Sequence, residues 1–344
     1  MKSKVMIIHT GGTIAQEEGA DGIFRPSDRD YMTEIKGLDD LADIHFIRAA
    51  NLDSTNMQTE DRAKIARLIF DNHLKYDGFV VVHGTDTMAE TASSLNYMIQ
   101  NLGKPIVLTG AQRPIFGKAP SDGIPNMYFS TKAATMDLGE IVIGFGDKIL
   151  RGNRSIKISE QGLNAFASPR VEPVGEIGID LMLSETRIRR YNGDPVLFTE
   201  FDTNIEFYQQ SSGTDTFIFK RYAEDSNIHG IVISGFGAGN IQARLVAHII
   251  SATQEGKPVL VVTNCVIGAA DMGIYEVGSV PLKAGAISAG DLTMEAATQK
   301  LMYAVGRANK MPYSGTDRLG YVKSLIQRDY GRDITVVGNR FGKN

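Results

Sequence analysis

The sequence predicts an α/β protein with two α/β domains, a larger N-terminal one built on a doubly wound, mostly parallel sheet and a smaller C-terminal one. The chain has 344 residues, of which 42% are hydrophobic, and short runs rich in Val and Ile alternate with longer helical patterns. This length exceeds that of most single domains and allows a sizeable core. We therefore expect two domains in which strands and helices alternate.

Four apolar runs in the first half of the chain are the predicted strands: KVMIIHT (4–10), GFVVVHG (78–84), PIVLTGA (105–111) and EIVIGF (140–145). They are continuous rather than alternating, which is typical of strands covered on both faces. Between them, TEDRAKIARLIFDNH (59–73) and MAETASSLNYMIQNLG (88–103) place apolar residues at helical spacing, and Gly103 ends the second. These segments are predicted crossover helices of a doubly wound sheet.

The composition of the sequence changes after about residue 185. RIRRYNGDPVLFTEFDTN is polar and rich in turn residues, and TFIFKRY, HGIVISGFGAGN and PVLVVTNC then resume the alternation of strands and helices. We predict an N-terminal domain over 1–185, a linker over 186–208 and a C-terminal domain over 209–344. From residue 307 the chain turns basic, ending in NRFGKN, and this bias is interpreted as a solvated helix and tail.

Composition argues against several partners. The formal net charge is −4, which argues weakly against a nucleic-acid backbone or an anionic membrane surface as the main partner. The single cysteine cannot form an internal disulfide, and MKSKVMII is too short for a signal-peptide core or a membrane span. We expect a cytoplasmic protein. The one cysteine and six scattered histidines show no zinc-ligand spacing, so no metal or other cofactor is expected.

Two predicted strands end in a glycine followed by threonine. The first exits through HTGGTIAQ to Thr13, and the second exits through HGTDTM to Thr85 and Asp86. Ligands of open parallel sheets bind at the carboxyl ends of strands, and glycine lets backbone N–H groups approach a substrate closely. The alternatives are a plain or phosphate-binding turn at Thr13 and ordinary helix caps at Thr85 and Asp86. His83 is interpreted as a residue in the wall of the candidate site whose hydrogen-bonding groups all have partners.

Neither threonine segment fits a nucleotide signature. There is no Gly-x-x-x-x-Gly-Lys, and TGGTI lacks the third glycine of the dinucleotide fingerprint. GFGAGN (235–240) is nearer to that fingerprint and follows an apolar strand, but no acidic residue ends a following strand about twenty positions on. Dinucleotide binding is therefore a weak alternative.

Taken in order, the motifs carry a family resemblance. TGGTI, LDSTNM (52–57), HGTDTM, TGAQRP with SDGIPN, and RGNRSIK (151–157) resemble the signature segments of the bacterial-type L-asparaginases, and AFASP follows as in the cytoplasmic type I branch. The resemblance spans about residues 4 to 300. It implies a hydrolase that converts the side-chain amide of L-asparagine to L-aspartate and ammonia.

The resemblance also implies roles for individual residues. Thr13 is the implied nucleophile, which forms an acyl-enzyme, and Lys157 accepts a proton from Thr85 while Asp86 orients it or holds the substrate ammonium. Without the resemblance, Lys157 would be interpreted as a surface lysine. Backbone N–H groups near Gly12, Thr13 and Thr85 are the expected oxyanion donors. The expected substrate-binding residues are Gly12, Asp53, Ser54, Thr55, Thr85, Asp86 and Ala111; for the DSTN segment the alternative is a polar turn.

The sequence departs from the family pattern on the expected lid, residues 16–30. The family carries a tyrosine about a dozen residues after the first threonine, whereas this chain has Phe24, which has no hydroxyl to relay a proton. Either Tyr31 reaches in from farther along the chain, or Thr13 is activated differently or slowly. The composition of this segment still suits a loop that closes over substrate.

Further features of the family concern assembly and regulation. The resemblance implies a homodimer or homotetramer, in which Asn240 of a neighbouring subunit could help to close the site. Cys265 lies in a context similar to that of a regulatory asparagine site of the type I branch, but Ile156 stands where a threonine of that site is expected. The plain interpretation of Cys265 is a small buried hydrophobe at a strand end.

Three other functions stay open. One is a glutaminase-asparaginase, since a pocket discriminates one methylene by only about 1–3 kcal/mol. The second is the amidase subunit of a tRNA-dependent amidotransferase, which is disfavoured because such subunits carry an extra N-terminal domain and TGGTI here begins at residue 10. The third is a non-catalytic amino-acid-binding protein, which the missing lid tyrosine makes conceivable.

Overall fold

The computed structural model describes residues 2–335 and separates into two compact units, with the boundary between Thr199 and Glu200. Unit 1 therefore extends past the predicted N-terminal boundary at residue 185. The predicted linker, 186–208, contains one strand and the beginning of a second, which belongs to the sheet of unit 2. The NRFGKN end of the basic tail lies outside the described residues.

Unit 1 is built on an eight-stranded sheet. Its strands in chain order, with the short hairpins that accompany the sheet, are β1 (Lys4–Gly11), β2 (Gln16–Glu18), β3 (Phe24–Pro26), β4 (Asp43–Leu52), β5 (Gly78–Val82), β6 (Ile99–Gln100), β7 (Ile106–Thr109), β8 (Ile141–Phe145), β9 (Lys148–Arg151), β10 (Ile156–Lys157), β11 (Phe166–Ala167), β12 (Gly175–Ile177), β13 (Leu181–Leu183) and β14 (Val196–Leu197). The spatial order in the large sheet is β13-β12-β9-β8-β7-β5-β1-β4.

The five strands from β8 to β4 are parallel, and β9, β12 and β13 extend the sheet antiparallel on one side. The four predicted strands correspond to β1, β5, β7 and β8, and β5 and β8 are buried along their whole length. Strand β4 was not predicted, because it is an edge strand in which exposed and half-buried positions are mixed.

Unit 1 contains four α-helices: α1 (Leu38–Leu41), α2 (Thr59–Asn72), α3 (Met88–Met98) and α4 (Gly123–Thr135). The predicted crossover helices are α2 and α3. One of the cores of unit 1 packs the inward residues of β1, β5 and β7 against α4, through side chains such as Val5, Val80 and Met127. Gly103, with φ +67°, turns the chain after α3 in the left-handed region that glycine tolerates.

Unit 2 has a smaller parallel sheet in the order β15-β16-β17-β18, formed by β15 (Ile205–Gln209), β16 (Gly230–Gly235), β17 (Val259–Thr263) and β18 (Ile287–Ser288). Its helices are α5 (Phe217–Glu224), α6 (Val246–Gln254), α7 (Glu276–Lys283), α8 (Met294–Ala308) and α9 (Gly315–Gln327). Separate apolar clusters line the two faces of this sheet. The mixed α/β architecture with a large, mostly parallel first sheet is as predicted.

No helix within residues 2–335 has both the length and the apolar character that a membrane crossing requires.

Candidate active site

The candidate site lies where three neighbouring parallel strands of unit 1 end. Strand β1 is paired with β4 on one side and with β5 on the other, so their carboxyl ends meet at the same edge of the sheet. The loop after β1 carries Thr13, the loop after β4 carries Ser54, and the loop after β5 carries Thr85. The fold therefore brings together three of the predicted motifs.

Glycines allow these loops to touch through their backbones. A Cβ on Gly12 would lie 2.6 Å from the backbone N and Cα of Gly84, and a Cβ on Gly84 would lie 2.6 Å from Ser54 Oγ. Gly12 also has φ +92°, a conformation that side chains other than glycine rarely adopt. Thr13 and Thr85, each directly after one of these glycines, are held next to the same contact.

Thr85, Asp86 and Lys157 form a hydrogen-bonded triad. Lys157 Nζ lies 2.8 Å from Thr85 Oγ1 and 2.6 Å from Asp86 Oδ1. Thr85 is buried, whereas the side chain of Lys157 is 19% exposed and that of Asp86 is 59% exposed. The structure thus assembles the second polar group that the family resemblance implied, from residues far apart in sequence.

Lys157 is positioned by a short hairpin. Strands β10 and β11 pair antiparallel, with Lys157 opposite Phe166, so the AFASP segment supports the lysine. Upstream, a buried ion pair of 2.6 Å between Arg151 and Glu140 anchors the RGNRSIK segment to the end of the large sheet. The position of Lys157 is therefore fixed by the pairing of β10 with β11 and by the anchored segment that precedes it, in addition to the contacts of its own side chain.

The DSTN segment forms one 3-10 turn, Ser54–Asn56. Asp53 Oδ1 accepts from the backbone N–H of Thr55 at 2.9 Å, as in a helix cap, and both of these residues are exposed. Ser54 is buried against Gly84, and its carbonyl accepts from Thr87 Oγ1 at 2.8 Å. Among these three residues, Ser54 is the one packed into the junction of the loops.

Gln112, next to the expected substrate-binding residue Ala111, was missed by the sequence reasoning. Ala111 is buried two residues after the end of β7, and the side chain of Gln112 accepts from Thr85 Oγ1 at 3.3 Å. The Gln112 amide nitrogen donates to the carbonyl oxygens of Ser159, Glu160 and Gly162. Gln112 therefore bridges Thr85 and the loop that follows Lys157; the TGAQRP motif was the signal that could have identified it.

The two lid candidates lie in different surroundings. Phe24 is on β3 of the β2–β3 hairpin and is 45% exposed. Tyr31 is completely buried, and its hydroxyl lies 2.9 Å from His9 Nδ1 rather than on Thr13. The hairpin is tied to the 113–121 loop by the exposed ion pair between Lys118 and Glu18.

Two buried histidines flank the site strands. Burial, with a smaller contribution from the nearby charge of Arg48 and against an opposing hydrogen bond with Asn51, lowers the pKa of His9 to about 4. Burial also lowers the pKa of His83 to about 4, against an opposing contribution from its hydrogen bond with the Gly84 carbonyl. Both imidazoles are neutral at pH 7. Among residues 2–335, no group of three or more His, Cys, Asp or Glu side chains is arranged to hold a metal ion.

The predicted residues of unit 2 lie in the loops after β16 and β17. Asn240 follows β16, its backbone exchanges hydrogen bonds with Phe236, and its side-chain oxygen is buried. Cys265 follows the end of β17 and is exposed, so its interpretation as a small buried hydrophobe is wrong. The strand ends at Thr263, and the side chains beyond it leave the core, as exposed Val266 and Ile267 also show.

Comparison with known proteins identifies the family. The family model for the N-terminal domain of asparaginase matches residues 4–189, and the model for the glutaminase/asparaginase C-terminal domain matches residues 204–312. The chain is 35% identical to the L-asparaginase of Thermococcus kodakarensis over 336 residues, covering 96% of this chain and 99% of that protein. The solved structure of the Thermococcus protein superposes with a TM-score of 0.87 at 34% identity, over 96% of this chain and 99% of that chain.

Two further relatives are informative. L-asparaginase I from Vibrio cholerae has a TM-score of 0.84 at 29% identity and covers 98% of this chain and 100% of that chain. A glutamyl-tRNA(Gln) amidotransferase component of Methanosphaera stadtmanae is 31% identical over 360 residues, covering 100% of this chain and 80% of that protein. With this fold and site, the chain is an amidohydrolase. It belongs to the asparaginase family, which confirms the resemblance seen in its motifs.

Proposed function

We propose that this protein hydrolyses the side-chain amide of free L-asparagine to L-aspartate and ammonia, with Thr13 as nucleophile and an acyl-enzyme intermediate. One observation carries the proposal: Lys157 Nζ contacts both Thr85 Oγ1 and Asp86 Oδ1, and the loops of Thr13 and Thr85 touch through the preceding glycines, Gly12 and Gly84. An amide hydrolase needs a nucleophile, a route for protons and a grip on the rest of the substrate.

The reaction proceeds in two halves. Thr13 Oγ attacks the amide carbon, its proton passes to the departing nitrogen, and ammonia leaves a β-aspartyl ester on Thr13. Water then attacks the ester while Thr85 takes its proton and passes its own to the neutral amine of Lys157, and the ammonium that forms is paired with Asp86. The bond between the acyl carbon and Thr13 Oγ breaks, L-aspartate leaves, and Thr13 Oγ regains a proton from Lys157 through Thr85. Backbone N–H groups of Thr13 and Thr85 stabilise the oxyanion in both halves.

The substrate is held by groups around the contact between the loops. Ser54, packed against Gly84, binds the α-carboxylate, and exposed Asp86 is available to the α-ammonium. Gly12, Asp53, Thr55 and Ala111 complete the proposed lining. Because Phe24 lacks a hydroxyl and the Tyr31 hydroxyl is bonded to His9, neither lid candidate relays the Thr13 proton on its way to the departing nitrogen.

Ammonia release from the purified chain tests the function. L-asparagine and L-glutamine should be assayed side by side over a range of concentrations, and ammonia is expected from asparagine. Thr13→Ala should lower kcat by at least about 10²-fold, since the nucleophile is lost. The control Thr298→Ala, on α8 of unit 2, should retain the wild-type kcat. Full activity in Thr13→Ala would overturn the nucleophile assignment.

The same assay separates the alternatives. Comparable kcat/KM for both amides indicates a glutaminase-asparaginase. Hydrolysis that depends on an added tRNA-dependent amidotransferase partner indicates an amidase subunit, a possibility kept open by the similarity to the Methanosphaera amidotransferase. Tight amino-acid binding without ammonia indicates a binding protein.

We also propose that the protein is a cytoplasmic homodimer or homotetramer, in which Asn240 of one subunit reaches the site of a neighbour, and that it binds neither nucleic acid nor membrane. The proposal rests on the family resemblance. Light scattering coupled to gel filtration tests the assembly, and a monomer that is fully active would overturn it.

A further inference from the structure

Behind the site loops, a chain of buried polar side chains runs from α2 to the backbone of the HGTDTM segment. Arg62 on α2 donates from Nε to Thr91 Oγ1 on α3 at 3.2 Å. Thr91 Oγ1 lies 2.9 Å from His83 Nε2, and His83 Nδ1 lies 2.7 Å from the carbonyl oxygen of Gly84. His83 and Thr91 are completely buried and Arg62 nearly so.

The donors and acceptors in this chain permit one arrangement. A carbonyl oxygen only accepts, so His83 Nδ1 carries the proton that Gly84 O receives. The imidazole is neutral at pH 7 because burial lowers the pKa of His83, so Nε2 is an acceptor and receives the hydroxyl proton of Thr91. Thr91 Oγ1 is then free to accept from Arg62, whose guanidinium is also paired with Glu90 at 2.9 Å.

This arrangement fixes the peptide that joins Gly84 to Thr85. In a trans peptide the carbonyl and the N–H point in opposite directions. Because Gly84 O is bound by the buried ring of His83, the N–H of Thr85 points away from that ring. Within residues 2–335, the N–H of Thr85 donates to no backbone acceptor outside regular secondary structure. It is therefore a free donor beside the contact between Gly12 and Gly84.

We propose that His83, held in its Nδ1–H tautomer by Thr91 and Arg62, is a positioning residue that orients the Thr85 N–H as an oxyanion donor. The inference rests on the proposed amide hydrolysis and extends it to residues that do not touch the substrate. An oxyanion donor stabilises the transition state more than the ground state, so its misplacement lowers kcat more than it changes KM.

Three variants test the inference with the full-length protein. His83→Leu removes the donor to Gly84 O, and kcat should fall by about 10- to 100-fold while KM changes by less than about threefold. His83→Asn places an amide nitrogen near the position of Nδ1 and should recover most of the lost kcat. Thr91→Val removes the partner of Nε2 with little change in shape, and an intermediate loss is expected.

A matched control distinguishes positioning from general destabilisation. Thr131 on α4 is also completely buried, and its hydroxyl has no partner within the described residues. Thr131→Val should keep the wild-type kcat. Circular dichroism at the assay temperature establishes that each variant is folded. Equal losses in His83→Leu and His83→Asn, or equal kcat in Thr91→Val and Thr131→Val, would contradict the proposed role.

A spectroscopic measurement is independent of turnover. Nitrogen-15 NMR of histidine-labelled protein should show His83 as the Nδ1–H tautomer at pH 7, and Thr91→Val should shift its Nε2 signal. An Nε2–H tautomer would overturn the inference. Absence of ammonia release by the wild type would overturn the proposed function, whereas release with an unchanged kcat in His83→Leu would overturn this inference alone.

Discussion

The two units contain the same local construction. In unit 1, β5, α3 and β7 form a β–α–β segment, and in unit 2, β16, α6 and β17 form another. In each, Gly-Lys-Pro precedes the second strand, at residues 103–105 and 256–258. Gly103 and Gly256 both have positive φ, +67° and +77°.

The lysines of these two segments also act alike. Lys104 Nζ donates to the carbonyl oxygens of residues 73 and 76, which follow α2. Lys257 Nζ donates to those of residues 222, 223 and 225, at the end of α5. A cation near a helix C-terminus stabilises its unpaired carbonyls.

The units differ in the loop after the first strand of the segment. Strand β5 leads into HGTDTM, with Thr85 and Asp86, whereas β16 leads into GFGAGN. The shared construction supplies a strand end and a helix on which a loop can be placed, and the side chains of that loop decide whether chemistry is available. This difference supports the proposal that amide hydrolysis takes place in unit 1, and the lysines of the two units can be used to test it.

The largest expected effect is on kcat, and it distinguishes Lys157 of unit 1 from Lys257 of unit 2. Lys157→Met should lower kcat by about 10²–10⁴-fold, because a proton acceptor in the second half-reaction is lost. Lys257→Met, which removes a lysine bonded to backbone carbonyls in unit 2, should retain the wild-type kcat while it is folded. Steady-state ammonia release at a temperature where both variants are folded is the measurement. Similar kcat values for the two variants would remove Lys157 from the mechanism.

The second expected effect is a loss of stability of unit 1 at acidic pH. Because the folded-state pKa values of His9 and His83 are about 4, below the usual 6.5, the unfolded chain binds protons first as pH falls. The contribution of these two histidines to the free energy of unfolding of unit 1 is thus complete above pH 6.5. It should fall by about 3 kcal/mol per histidine as the pH is lowered from 6.5 to 4.

Hydrogen exchange by mass spectrometry can follow the two units separately, at pH 7 and pH 4.5 after correction for intrinsic rates. Peptides of β1 and β5 should lose more protection than those of β16 and β17. In unit 2, His229 is partly exposed and bonded to Asp202, and His248 is half-buried. Equal losses in both units would contradict the assignment of acid sensitivity to the two buried histidines.

A third, smaller effect compares the helix-binding lysines. Lys257→Met leaves three carbonyls without their charged donor and should lower the free energy of unfolding of unit 2 by about 1.5–3 kcal/mol. Lys104→Met, with two carbonyls, should have a smaller effect on unit 1. The exposed Lys283→Met is a control, expected within about 0.5 kcal/mol of wild type. Urea unfolding, monitored by hydrogen exchange, measures the free energy of unfolding of each unit. An effect of Lys257→Met no larger than that of Lys283→Met would contradict the prediction.

The smallest expected effect on activity is that of Tyr31→Phe. Its hydroxyl is bonded to His9, so its loss should lower stability by about 1 kcal/mol and leave kcat within about threefold of wild type. Tyr303→Phe removes a buried hydroxyl from unit 2 and should leave kcat unchanged. A fall in kcat of about 10²-fold or more in Tyr31→Phe alone would instead make Tyr31 the proton relay for Thr13.

Sequence patterns predicted the central strands and crossover helices because those elements are buried and strongly periodic. Strands such as β4 and β12 were missed, since edge and antiparallel strands are short or partly polar. The segment TFIFKRY, to which no element type was assigned, forms part of α5, and β15 begins within the predicted linker. Mixed polarity around that boundary obscured both.

The candidate site shows a different limit. The TGGTI and HGTDTM motifs could be placed at strand ends by the sheet rule, but nothing in the spacing connects Lys157 to Thr85; only the family resemblance did. Gln112 and the Arg62–Thr91–His83 chain act through side-chain geometry between elements, which no single-sequence pattern encodes. Burial of Cys265 was predicted from its position at a strand end, whereas the cysteine and the apolar residues Val266 and Ile267 after it are exposed.

The contact between Gly12 and Gly84 has a consequence for redesign of the substrate range. Adjacent strands of a sheet are about 4.8 Å apart, and here the loops that continue them touch without any intervening side chain. The spacing of these loops is thus set by the sheet, and the contact itself offers no side chain to shorten. A change of substrate range is therefore expected from side chains around this contact rather than from the contact itself, and Ile23 and Phe24, at the start of β3, are exposed and open to replacement.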